Sequence, residues 1–113
     1  MPTYANIIVD ISHEQLDKTF QYKIPDSLQS QVGIGSLVFI PFGRGNRMIK
    51  GYVIELTDKP EFDPNRMKDI ADLAKGGIAV ESQLIQLASW IKVHYGSTMI
   101  QALKTVMPIK DKV

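Results

Sequence analysis

Along the first part of the chain, apolar and polar positions alternate at the period of an extended strand. In residues 4–11, Ala5, Ile7, Val9 and Ile11 share one parity while Asn6 and Asp10 hold the other, which predicts a strand with one buried face. A polar stretch, residues 12–18, separates it from residues 19–24, where Phe20, Tyr22 and Ile24 share one face and Thr19, Gln21 and Lys23 the other. Pro25-Asp26-Ser27 supplies turn chemistry, because proline fixes φ and the short polar side chains bond their own backbone. A loop then closes at Gly33 and Gly35. Residues 36–42 are apolar on both parities, as a strand covered on both sides requires. Gly43-Arg44-Gly45-Asn46 tolerates positive φ and joins that strand to another at residues 47–57, the clearest hairpin in the chain. Gly51, midway along the second arm, demands a bend, a bulge or a close neighbour.

Residues 58–69 turn polar and contain Pro60 and Pro64, the pattern of an exposed loop. Residues 70–75 fit a strand or a helix equally, and Gly76-Gly77 ends them. Helix periodicity then takes over at residues 81–95, with Leu84, Leu87, Ala88, Ile91 and Tyr95 on one face and Gly96 as a C-terminal cap. Thr98 and Gln101 have the spacing of a capping box, so a second helix is expected to about Val106, before Pro108. The order of elements predicts an α+β fold, a small curved antiparallel β-sheet or barrel-like core followed by two α-helices.

With 113 residues, 44% hydrophobic and 22% charged, the chain suits one domain, expected at residues 1–108, with residues 109–113 beginning a linker. Cysteine is absent, which excludes a disulfide framework, thiolate metal site or cysteine nucleophile in these residues. A formal charge of +1 gives no global attraction for nucleic acid, so any such affinity must come from a local patch. No apolar run approaches the roughly 18 residues of a membrane span, and no basic start with an apolar run marks a signal peptide. A soluble, cytoplasmic protein without a membrane partner is expected.

Candidate chemistry is sparse. Gly33-Ile34-Gly35 opens like a dinucleotide fingerprint, but Val38 stands at the third glycine and a strand follows where a helix N-terminus must hold the pyrophosphate. Residues 43–50 lack the Gly-Lys-Ser/Thr of a phosphate loop. His13-Glu14-Gln15-Leu16-Asp17 places Asp17 where a zinc protease needs its second histidine, and His94 reads as a helix-end residue. No Ser/His/Asp or paired-carboxylate set can be assembled, so no enzyme and no cofactor are expected in this chain. The charge pattern is more telling. No acid lies between Asp26 and Glu55, while Arg44, Arg47 and Lys50 cluster at the hairpin turn, Lys18 and Lys23 flank Phe20-Gln21-Tyr22, and Arg66 and Lys68 end the polar loop. By themselves these are consistent with ordinary solvated cations, with Phe20, Tyr22 and Trp90 as packing residues.

The strand Asn6-Ile7-Ile8-Val9-Asp10, the segment from Leu16 to Pro25 around Phe20-Gln21-Tyr22, the Ile40-Pro41-Phe42-Gly43 step and Ile49-Lys50-Gly51-Tyr52-Val53, in this order and spacing, resemble the amino-terminal domain of the bacterial replication-restart helicases, primosomal protein N-prime. The likeness continues through the Leu84-to-Trp90 helix to Met107-Pro108. It implies a non-catalytic module that recognises the 3′-hydroxyl end of a nascent DNA strand at a stalled fork, without base specificity. It further implies a full-length ATP-dependent 3′-to-5′ helicase that initiates primosome assembly, whose winged helix, motor lobes and zinc-binding cysteines lie outside these residues. Partners implied are DNA with a free 3′ end, forked DNA and, for the full-length protein, other primosome proteins and single-stranded-DNA-binding protein. The implied pocket comprises Phe20, Gln21, Tyr22, Gly43 and Lys68, with Lys23, Arg44, Arg47 and Lys50 near the DNA backbone. The sequence departs from the family at Gln21, where aspartate is usual; glutamine can accept and donate but carries no charge. Alternation sends Gln21 to the face opposite the two rings, which suggests an exposed amide turned to the ligand. The contrasting reading is a β-rich protein-interaction domain with no DNA contact.

Overall fold

A computed structural model describes residues 3–9, 19–74 and 79–106; the His13–Asp17 pattern, Lys18, Met107-Pro108 and the expected linker at 109–113 lie outside the described residues. Five strands, β1 (Tyr4–Ile8), β2 (Phe20–Lys23), β3 (Leu37–Phe42), β4 (Arg47–Thr57) and β5 (Asp72–Leu73), are followed by α1 (Ala79–Tyr95) and α2 (Met99–Val106). The strands form one sheet in the order β2-β1-β4-β3-β5, every ladder antiparallel. The expected α+β arrangement is therefore present. Short 3₁₀ turns occupy Asp26–Leu28 and Pro64–Arg66.

The sheet curls until its two edges meet without closing into a barrel. Lys23 of β2 forms a single parallel bridge to Asp69, just ahead of β5. Its N–H donates to the Lys68 carbonyl at 2.9 Å, and its carbonyl accepts from Ile70 N–H at 2.9 Å. One bridge instead of a ladder leaves the sheet open. Inside the curl lies an apolar core containing Ala5, Ile7, Tyr22, Val38, Ile40, Val53 and Ile70. Burial of each large aliphatic side chain there stabilises by about 1.5–3 kcal/mol.

Curvature comes from β4. Pairing with β1 steps from Asn6↔Glu55 to Ile7↔Val53, so Ile54 is the extra residue of a bulge, which bends and twists the strand. Gly51 fills the other role expected of it, since a Cβ placed there would lie 2.5 Å from Ile7 Cγ2 and 3.1 Å from the Ile8 carbonyl oxygen. At the turn, Gly43 (φ 75°) and Asn46 (φ 50°) take positive φ, whereas Gly45 does not.

The helices cover the outer face of the sheet. Ile8 and Ile54 pack there against Ile85, Ala88, Met99, Ala102 and Leu103. Strand β1 is thus buried on both faces, a correction to the one-faced expectation, because a second layer lies over Ile8. Helix α1 is tied down by Ser82 Oγ donating to the Gly35 carbonyl at 2.8 Å and by Lys92 Nζ reaching Glu55 Oε2 at 2.7 Å. The capping box holds α2 as expected: Thr98 N–H donates to Gln101 Oε1 at 3.0 Å and Gln101 N–H to Thr98 Oγ1 at 3.1 Å. The buried face of α1 is rotated from the expected one. Ile85 and Ala88 turn inward, while Leu87 (47% exposed) and Tyr95 (74%) face out, and Trp90 is 52% exposed instead of packed.

Candidate functional site

Strand β2, the β3–β4 turn and the polar loop after β4 converge on one cleft of about 400 Å³. Its lining includes Phe20, Gln21 and Tyr22 from β2, Phe42 from the end of β3, Gly43 from the turn, and Glu61, Phe62, Arg66 and Lys68 from the loop. Such a volume falls in the range of about 300–1,000 Å³ typical of small-ligand sites. Distant segments meet because the bridge at Lys23 draws residues 68–70 against the edge of β2.

Each wall has a physical cause. The rings of Phe20 and Phe42 meet edge to face with centroids 4.9 Å apart, the geometry favoured by opposed ring quadrupoles. Tyr22 is buried and donates its hydroxyl to the Pro41 carbonyl at 2.7 Å. Burial raises the pKa of its phenol, because desolvation disfavours the phenolate. Gly43 takes the left-handed conformation with open space where a side chain would stand, which leaves its backbone accessible. Lys68 Nζ donates to the Gly43 carbonyl at 2.8 Å, joining the loop to the turn across the rim. An ammonium has three donors, so Lys68 retains capacity for an anion beside Gly43.

Gln21 differs from expectation. It is 6% exposed, and its amide is engaged within the protein. Nε2 donates to Asn6 Oδ1 at 3.1 Å and to the Lys59 carbonyl at 3.4 Å, while Oε1 accepts from Glu61 N–H at 2.7 Å. Alternation does separate it from the Phe20/Tyr22 core, but the loop after β4 folds over that outer face and buries the amide. Behind it, Asn6, Glu55, Lys59 and Lys92 line a second, polar recess of about 360 Å³. Gln21 forms part of the wall between the two spaces.

A profile of the 3′ DNA-binding domain (3′BD) of PriA matches residues 6–108. The chain belongs to the PriA 3′BD family. It is 32% identical over 105 residues to replication restart protein PriA of Bacillus subtilis (strain 168), covering 93% of this chain and 13% of that protein. Replication restart protein PriA of Chlamydia muridarum is 31% identical over 110 residues, covering 91% of this chain and 14% of its own. The chain therefore spans about one-seventh of the length of these relatives.

In this PriA 3′BD, the five residues expected at the pocket, Phe20, Gln21, Tyr22, Gly43 and Lys68, all line the one cleft. The four cations expected beside it do not. Lys23 pairs with Asp69 at 3.7 Å, Lys50 lies 5.8 Å from the Phe39 ring centroid, and Arg44 and Arg47 are exposed on the hairpin beyond Gly43. Thr19, Phe42, Glu61, Phe62 and Arg66 are lining residues that the sequence reading did not select. For Phe62 a signal existed, since it is a large apolar residue isolated in a polar, proline-bearing loop. Among the described residues no group of His, Cys, Asp or Glu has the arrangement to hold a metal ion. No helix there is long and apolar enough to cross a membrane.

Proposed function

We propose that this 3′BD is a non-catalytic module that receives the 3′-hydroxyl end of a DNA strand in the cleft between β2 and the β3–β4 turn, without selecting the terminal base. The observation carrying this reading is the meeting of an apolar aromatic wall with the open backbone of Gly43 and the Lys68 ammonium, the combination a terminal nucleotide calls for. Bases stack on apolar rings, a hydroxyl pairs with backbone, and the preceding phosphate pairs with a cation. Arg66 on the rim and Arg44 and Arg47 on the hairpin extend the cationic side along the strand.

Within a longer PriA-type protein, the module would present the nascent 3′ end at a stalled fork to an ATP-dependent 3′-to-5′ helicase that starts primosome assembly. Forked DNA, primosome proteins and single-stranded-DNA-binding protein are partners of that larger assembly, with a cytoplasmic location, and ATP and zinc belong to it and not to this domain.

Fluorescence anisotropy with otherwise identical oligonucleotides ending in 3′-hydroxyl or 3′-phosphate tests the reading. Tighter binding of the hydroxyl end is expected; equal affinities refute end recognition. The protein-interaction reading draws on one observation, the outward Leu87 and Trp90 of α1. Chemical-shift mapping with a 3′-ended oligonucleotide separates the two, because it leaves the Gly43 and Lys68 signals unmoved if the domain does not take DNA.

A further inference from the structure

Gln21 has little left to offer a ligand. Its amide reaches Asn6, Lys59 and Glu61, and the residue is almost fully buried, so it acts on the cleft through what it holds. What it holds is the start of the segment that carries Phe62. Upstream, residues 59–61 are pinned to β2 by the Gln21 amide. Downstream, Asp63 Oδ1 accepts from Asn65 N–H at 3.0 Å and the Asp63 carbonyl from Arg66 N–H at 3.0 Å, and the buried Met67 anchors the chain.

Between these fixed points the Phe62 side chain lines the cleft and is 49% exposed. The other rings of the cleft are engaged internally, Phe20 with Phe42 and Tyr22 with Pro41. Phe62 has no ring partner among the described residues. A large apolar ring left open on a backbone fixed at both ends can receive a planar group with little ordering cost.

We infer that Phe62 is the stacking surface for the base of the terminal nucleotide and that Gln21 is the residue that positions it. This rests on the proposed 3′-end reading and adds the base-contacting group to it. A ring stacks on any base because every base has a π-face, which makes this contact blind to base identity. Gln21, by contrast, is a positioning residue, its amide taken up by Asn6, Lys59 and Glu61.

The test pairs Phe62→Ala with removal of the base. Anisotropy titrations use a 3′-hydroxyl oligonucleotide with an ordinary terminal nucleotide and its twin, whose last sugar keeps the hydroxyl but lacks the base. Phe62→Ala is expected to weaken binding of the ordinary oligonucleotide on the order of tenfold. It should leave the abasic twin unchanged, and Phe62→Trp should restore affinity for the ordinary one. Gln21→Ala should reproduce a smaller, equally base-dependent loss, and unchanged melting of Phe62→Ala would establish that its effect is local. Equal losses on both oligonucleotides, or none on either, overturn the inference. If the wild-type chain distinguishes 3′-hydroxyl from 3′-phosphate but Phe62→Ala shows no base dependence, only the inference fails; if it does not distinguish them, the end-binding reading itself fails.

Discussion

Gln21 Oε1 accepts a hydrogen bond from the backbone N–H of Glu61 at 2.7 Å, joining a strand to a loop 40 positions further along the chain. Removing this side chain strands a partly buried N–H and takes the Gln21 donor from Asn6 Oδ1, while Asn6 Nδ2 still donates to Glu55. Gln21→Ala is therefore expected to destabilise by about 1–3 kcal/mol. An exposed strand glutamine, which alternation alone suggests, would cost almost nothing. Chemical denaturation with a two-state fit checks it, and a loss within about 0.5 kcal/mol, the usual scale of surface substitutions, would show that the loop holds without the glutamine.

Gly51 leaves room for the Ile7 side chain and the Ile8 carbonyl where β1 crosses β4. The side chain can yield a little, but the paired backbone of β1 cannot. Gly51→Ala should cost about 1–3 kcal/mol through overpacking, read as a lowered melting temperature. Ile7→Val keeps the Cγ2 methyl at this contact, so in the same background it should not recover the loss.

Lys68 bridges to the Gly43 carbonyl on the cleft rim and is exposed. Stability should change by no more than about 0.5 kcal/mol in Lys68→Ala, as for most surface positions. Binding should respond differently. If the ammonium neutralises one phosphate, the slope of log affinity against log salt on single strands should become shallower by about 0.7. Titrations at several salt concentrations measure that slope, and an unchanged value would remove Lys68 from the phosphate contacts.

The buried Tyr22 phenol has a pKa raised above its ordinary value of 10.0 by desolvation. Below that value the folded and unfolded chains both carry a neutral phenol, so its stabilising share is fully present. As pH rises past it the unfolded chain ionises first, and this share is lost progressively up to the folded pKa. Tyr22→Phe should lose about 0.5–1.5 kcal/mol at neutral pH, because the Pro41 carbonyl loses its donor. Above about pH 10 the gap to wild type should narrow. Denaturation curves at neutral and alkaline pH check both parts, and a gap that widens with pH would reverse the sign.

The relation of sequence to structure differs from element to element. The β3–β4 hairpin, the α2 capping box and the Gly96 helix end were legible because each is a local contract among residues a few positions apart. Gly51 could be marked as a position needing a bend or a neighbour, but the neighbour, Ile7, lies across a ladder. Periodicity places Leu87 and Tyr95 on the buried face of α1, and size alone suggests packing for Trp90, yet all three are exposed, because neither signal knows which side of the helix meets the sheet. The bulge at Ile54 left no local mark, yet it accompanies the curvature that gathers the cleft.

The five pocket residues were nominated by likeness to a family; alternation alone offered Phe20 and Tyr22 only as packing. What the sequence by itself determined was most of the elements and their order, their turns and caps, and the absence of cysteine or nucleotide-loop chemistry, because backbone preference and short-range hydrogen bonding act within a few residues. Residues 70–75 fit strand or helix equally until pairing with β3 made Asp72–Leu73 a strand. What only the tertiary structure decided was the fate of side chains whose neighbours are remote. The loop after β4 closes over Gln21 and buries its amide, and the same loop leaves Phe62 open to the cleft, since burial is set by the segment that happens to fold across a strand and not by the strand's own pattern.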